Sequence, residues 1–172
     1  MSAVVAIEPK AGDIFHGESQ YLTFILGGEM FAMDIRGVKE IIEYGSMTMV
    51  PMMPAFVRGV INLRGAVVPV VDLAARFGRP PTQVNKRSCV VILEIQGEEE
   101  EGVQDMGVLV DAVSAVLSIP AADIEPAPSF GAGIRADFIG GMAKVDGNFV
   151  IVLKVERVLS VEEMAQLSRT VE

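Results

Sequence analysis

The sequence predicts an all-β protein built of two small barrels, and three observations point there. First, one stretch appears twice: Phe56 to Leu73 reappears without a gap as Phe138 to Val155. Phe56 answers Phe138, Gly59 answers Gly141, Gly65 answers Gly147, and Val68 and Val70 answer Val150 and Val152. Apolar residues also face each other between these anchors, among them Val57 with Ile139, Leu63 with Val145 and Val67 with Phe149. Such self-similarity marks a duplicated unit, and positions common to both copies are expected to hold the fold. Second, about ten short apolar runs follow one another with turn signals at short intervals. Third, helical periodicity is confined to brief stretches. A unit of roughly 70 residues buries only a modest core alone, so the copies are expected to share an interface or exchange strands.

Residues 1–17 carry Pro9, Gly12 and Gly17 without any period and read as a flexible tail. Tyr21 to Leu26 is a strand, Gly27-Gly28 its hairpin turn and Met30 to Met33 its return. Asp34 sits at an N-cap position before Ile35, Val38, Ile41 and Ile42, whose spacing predicts a short helix running into an extended segment. Pro51 and Pro54 exclude a central strand from Met47 to Pro54. Val57 to Leu63, a turn at Arg64-Gly65 and Ala66 to Val71 make a hairpin. Asp72 is placed to cap a short helix that Gly78 and Pro80-Pro81 end.

The second unit runs over about 86–160, the first over about 18–85. Cys89 to Ile95 and Val103 to Val110 are paired strands around a loop holding Gly97 and the acidic run Glu98, Glu99, Glu100 and Glu101. Asp111 with Val113, Val116 and Leu117 echoes the capped helical pattern at Asp34. Pro120, Pro126, Pro128, Gly131 and Gly133 make an irregular connection to the repeated hairpin, Phe138 to Leu153. Ser160 with Glu163 fits a capping box that opens a C-terminal helix over 161–172, with Val161, Met164 and Leu167 on one face.

Composition excludes several functions. The net charge of −9 argues against nucleic-acid binding, which needs a basic face, and against adsorption to an anionic membrane. One cysteine leaves no internal disulfide and suits a reducing, cytoplasmic setting. No apolar stretch reaches the ~20 residues of a spanning helix, and the N-terminus lacks the basic flank of a signal peptide. The single histidine, His16, lies in the tail and cannot anchor a catalytic triad. Cys89 stands among Val90, Val91 and Ile92 and reads as a strand residue rather than a nucleophile. No zinc set, catalytic group or cofactor site is expected. Gly131 to Ala136 matches a dinucleotide fingerprint only superficially, because proline rather than a strand precedes it. The glutamate run lacks the alternation of a calcium loop.

The repeat supplies an internal control for its own turn. Copy two turns on Asp146-Gly147, a favoured pair for two-residue hairpins, where copy one uses Arg64-Gly65. Turn chemistry does not explain an arginine there. Solubility and partner binding are both left open by the repeat, arginine being common at interface hot spots. Arg58 and Asn62 also interrupt an apolar strand, facing Gly140 and Lys144 of copy two. Glu40 falls between the apolar positions of its expected helix and should face solvent. Met47, Met49, Met52 and Met53 read either as an adaptable docking surface or as filler.

The run Gly59 to Leu73 (GVINLRGAVVPVVDL) closely resembles the signature of the CheW family of chemotaxis coupling proteins. The likeness extends to Tyr21–Gly28, Asp34 to Ile41, Pro54-Ala55-Phe56, Gly107 to Asp111, Ile124 to Pro128 and Ile139 to Gly141, covering roughly 18–165 in the family's order. It implies two intertwined five-stranded barrels of SH3/OB-like type, a tandem duplication with swapped strands over 18–160. It further implies a non-enzymatic adaptor that joins the cytoplasmic tips of chemoreceptors to the regulatory domain of the CheA histidine autokinase. Such an adaptor is cytoplasmic, is recruited to membrane-associated receptor arrays without inserting, and binds no nucleic acid. Carried over by position, partner binding falls on Ile35, Val38, Glu40, Gly59, Asn62, Arg64 and Gly65. The loop holding the glutamate run looks longer than the family's turn. One alternative is a CheV-type coupler, whose receiver domain is not expected to fit before Glu172. Another is a small-ligand β-barrel or an enzyme, which predicts a polar-lined cavity and for which the sequence offers no catalytic set.

Overall fold

Turn residues and apolar alternation cut the chain into short strands. The structure, a computed structural model, describes residues 18–45, 47–49, 51, 53–96, 102–126 and 134–160. The expected tail with His16, Met52, the Glu98–Glu101 run, Gly131 to Gly133 and the helix over 161–172 with Glu163 of its capping box lie outside these residues. Strands β1 (Glu18–Leu26) and β2 (Glu29–Asp34) form the first hairpin, and a 3-10 turn at Ile35–Gly37 leads into β3 (Val38–Glu43). Strands β4 (Val57–Leu63) and β5 (Ala66–Asp72) follow, then helix α1 (Leu73–Arg76). Strands β6 (Cys89–Gln96), β7 (Val103–Val110), β8 (Ala112–Pro120) and the two-residue β9 (Ile124–Glu125) begin the second half. Strands β10 (Ile139–Val145) and β11 (Asn148–Leu153) and helix α2 (Val155–Val158) complete it.

The halves exchange strands. One sheet has the order β8-β1-β2-β11-β10-β9, and the other β3-β6-β7-β5-β4. The first hairpin of copy one therefore sits with the later strands of copy two, and β6–β7 of copy two sit with copy one. Parallel pairs make the two joins, Val152 with Ala32 and Val71 with Val108. Each sheet curls until its edges meet. In the five-stranded sheet Thr48 bridges Val60 on β4 through two backbone bonds of 3.0 and 2.9 Å. In the six-stranded sheet the edges β8 and β9 are consecutive in the chain, linked by a 3-10 turn at Ala121–Asp123.

The central strand β6 is buried on both faces, with Val91 and Leu93 in one cluster and Val90 and Ile92 in another, which explains its unbroken apolar run. Val68, Val70, Val90, Ile92 and Leu109 fill the first barrel, while Ala32, Ile119, Ala143, Val150 and Val152 fill the second. The largest cluster lies between them and draws on both copies, with Phe24, Phe31, Val71, Leu73, Phe77, Leu93, Val108, Phe138 and Leu153. Neither barrel could keep this face dry alone.

Gly59 and Gly141 show why the copies share glycine. Each sits at a register shift in its hairpin, at φ 156°. A Cβ on Gly59 would lie 2.7 Å from the carbonyl oxygen of Thr48, and one on Gly141 would lie 2.9 Å from that of Glu125. Backbone approaches too closely here for any side chain.

Three expectations need correction. The short helix running into an extended segment is present as a single 3-10 turn, but it ends at Gly37, and Val38, Ile41 and Ile42 lie on β3 rather than on a helix. A bulge between Val38 and Glu40 adds a residue, so Val38 and Ile41 reach the same core three positions apart. Helix-like spacing thus arises inside a strand. The same device recurs where Thr23 pairs with Ala115 but Phe24 with Val113, and the chain after Asp111 is strand β8, not a helix. Asp111 accepts the Gly27 N–H at 2.8 Å instead of capping, whereas Asp34 and Asp72 do cap, accepting from Arg36 N and Ala75 N. Third, Val67 and Phe149 do not hold the fold: they are 71 % and 62 % exposed. Helix α2 is the counterpart of α1, but the sequence carries no signal for it, since Lys154 stands where α1 has its capping Asp72 and makes no side-chain capping bond.

Candidate functional site

The tip of the β4–β5 hairpin begins the site. Leu63 pairs with Ala66, leaving Arg64-Gly65 as a two-residue turn with φ 53° and 87°. Two successive positive φ values match the right-handed twist of the strands. Asp146-Gly147 turns the same way at 49° and 81°, with a residue better suited to it. Holding arginine in this region costs about 1–2 kcal/mol. Asn62 braces the turn, its Oδ1 accepting the Gly65 N–H at 2.9 Å. The strained arginine is thereby fixed in direction.

Arg64 points to Glu40. Its Nη1 and Nη2 donate to Glu40 Oε1 and Oε2 at 2.7 and 2.8 Å, a bidentate pairing. Glu40 is buried, contrary to the expectation that it faces solvent. The bulge beside Lys39 rotates it to lie opposite Ile92, whose side chain belongs to the first barrel's interior. The Glu40 side chain is 7 % exposed and that of Arg64 is 68 % exposed. The hydrogen bond from Arg64 holds the Glu40 carboxyl below its usual range, against the opposing effect of burial. The same bond raises the Arg64 guanidinium. Since β3 and β4 are the two edges of one sheet, the pair fastens the barrel shut and leaves a rigid cation at its rim.

The other expected residues divide by exposure. Asn62, Arg64 and Gly65 are exposed at the tip, Val38 is half-buried, and Ile35 and Gly59 are buried. Arg58 does not join them. Its Nη1 donates to Asp72 Oδ2 and to the Thr82 carbonyl, both at 3.1 Å. Asp72 also accepts Thr82 N at 2.9 Å and Thr82 Oγ1 at 3.0 Å, which ties the loop after α1 to the first barrel. Arg58 is therefore an internal anchor. Lys39, thrown outward by the bulge, pairs with Asp105 at 2.9 Å.

Of the methionines, Met47 packs against the first barrel's interior, as filler would, and Met49 is 77 % exposed. Burial pushes the Cys89 thiol up, and it donates to the Arg87 carbonyl, so nothing activates it as a nucleophile. Among the described residues no group of three or more His, Cys, Asp and Glu could hold a metal ion, and no helix is long and apolar enough to cross a membrane. Sequence reasoning missed the exposed pair Val67 and Phe149. The signal was present in their partners, since Asn62 and Lys144 lie directly opposite and share their faces.

Comparison with known proteins gives one consistent result. Residues 20–163 match the family model described as CheW-like domain. The chain is 33 % identical to a Klebsiella aerogenes protein named chemotaxis protein CheW, covering 96 % of this chain and 95 % of that protein. It is 28 % identical to protein FrzA of Myxococcus xanthus, over 76 % and 78 % of the two chains. Among solved structures it resembles the scaffolding protein TtCheW of Thermoanaerobacter tengcongensis. There the TM-score is 0.74 and the identity 36 %, covering 84 % of this chain and 89 % of that one.

Proposed function

Since this chain belongs to the CheW-like family and is a chemotaxis adaptor, we propose that it joins the cytoplasmic tips of chemoreceptors to the regulatory domain of a CheA-type histidine autokinase. It works in the cytoplasm, at membrane-associated receptor arrays, and catalyses no reaction itself. The observation that carries this reading is the Glu40–Arg64 pair, in which a buried carboxylate holds an exposed guanidinium at the rim of the first barrel. A cation fixed in this way has little side-chain entropy left to lose on docking. Receptor tips are helical hairpins, and one helix would lay its apolar stripe beside Arg64.

Adaptor function then needs no chemistry, only a difference in affinity. Receptor states change kinase activity through this chain to the extent that they bind the adaptor–kinase assembly unequally, since equal affinity shifts nothing. Co-sedimentation with a receptor signalling fragment and the autokinase tests the choice of partners. The chain should enter a complex with both together. Recovery with neither would remove the reading.

A further inference from the structure

A third arginine of copy one lies where the two barrels meet. Arg76 ends α1 and is 8 % exposed. Its guanidinium carbon is 4.9 Å from the ring centre of Phe56 and 4.7 Å from that of Phe138. Its Nε donates to the carbonyl oxygen of Val158 in α2 at 2.8 Å. Phe56 and Phe138 are counterparts in the two copies, one leading into β4 and the other into β10. Arg76 and Val158 are counterparts as well, so a single arginine from copy one fills a place that copy two leaves apolar. Phe138 is covered again by Arg135, 4.4 Å from its ring centre, and Arg135 is itself held by Asp137. Phe77, next to Arg76, continues the contact to Phe138 and to Phe31 of β2.

A buried charge is weak evidence for a stabilising role. The apolar cluster between the barrels already supplies a large driving force, and burying an ion costs much of what its contacts return. Apolar burial, however, is non-directional and lets packed surfaces slide. A planar guanidinium packed on two rings, with its Nε bonded to the Val158 carbonyl, fixes an angle as well as a distance.

We propose that Arg76 is a positioning residue that sets the angle between the two barrels, clamping Phe56 of the first to Phe138 and Val158 of the second. Phe56 immediately precedes β4 and Arg64 immediately follows it, so the clamp also sets where the Glu40–Arg64 surface points relative to the second barrel. An adaptor that meets two partners needs both surfaces in one register. That consequence rests on the adaptor reading above, whereas the angle does not.

The test measures the angle without partners. Spin labels are placed on cysteines at the exposed positions of Val67 and Phe149, one on each barrel, in a Cys89→Ser background. Pulsed electron resonance gives the inter-label distance in the full chain, in Arg76→Met and in Arg76→Lys. Both variants should melt cooperatively, with a distance distribution at least about twofold broader, as expected when a rigid-body contact is released. Should Arg76→Met fail to fold, Arg76→Lys, which keeps the charge but not the planar face, decides alone. An unchanged distribution in the folded variant, even with a lowered melting temperature, overturns the proposal. Because no receptor or kinase is present, this outcome is separate from any failure of the adaptor reading.

Discussion

The carboxylate of Glu40 and the guanidinium of Arg64 meet through two bonds of 2.7 and 2.8 Å, and they join the opposite edges of one five-stranded sheet. The pair is asymmetric in burial. Glu40 has almost no access to water, and Arg64 has ample access. The two residues therefore differ in what their loss should do.

Removing the arginine strands a buried carboxylate, whereas neutralising the glutamate leaves a solvated guanidinium. Arg64→Ala should lower the melting temperature more than Glu40→Gln does. Replacing both with methionine should recover part of the loss, because no unpaired charge remains inside. Thermal melts of Glu40→Met, Arg64→Met, the double variant and the unaltered protein form a double-mutant cycle that reads the coupling directly.

The pair also predicts a pH dependence with a definite sign. Glu40 is held below its ordinary value near 4.5 by the Arg64 hydrogen bond. A depressed carboxyl contributes stability that is fully present above the unfolded value and is lost as pH falls through the folded one. The gap in melting temperature between the unaltered protein and Arg64→Ala should be widest near neutrality and shrink at acid pH. Asp34 and Asp137, also lowered by arginine bonds, are common to both proteins and cancel in the difference.

The duplicated glycines give a paired prediction. Gly59→Ala and Gly141→Ala should each cost about 1–3 kcal/mol or more, because the added methyl meets a fixed carbonyl in a conformation that side chains avoid. Gly140→Ala, whose methyl would meet neighbours at 3.5 Å, should change stability by less than about 0.5 kcal/mol. Denaturant midpoints of the three variants are the measurement.

Exposure separates residues that look alike in the sequence. Phe149→Ser and Val67→Ser should be nearly neutral in unfolding, within about 0.5 kcal/mol. Phe31→Ala, at a fully buried ring stacked on Phe24, should cost about 3–5 kcal/mol.

Much of this architecture could be read from the residues. Turn chemistry located both hairpins, the Asp72 cap announced α1, and the repeat marked a shared, exchanged core. What could not be read depended on partners distant in the chain. The Lys39 bulge imitates helical spacing, since the bulge that brings Val38 and Ile41 to one core follows from pairing with β6. The burial of Glu40 follows from that bulge. Nothing in the sequence sets Arg76 apart, because Phe56 and Phe138 come to its guanidinium only through the packing of the two copies. Arg64 stands out in the sequence because its counterpart in the repeat is Asp146.

The central claim is that the surface fixed by Glu40 and Arg64 carries coupling between receptor and kinase. Its most direct test is receptor-dependent kinase activity, reconstituted with the Arg64→Glu variant. The variant should remain folded by circular dichroism, yet lose receptor control of phosphorylation. Full kinase activation with normal ternary assembly would contradict the claim.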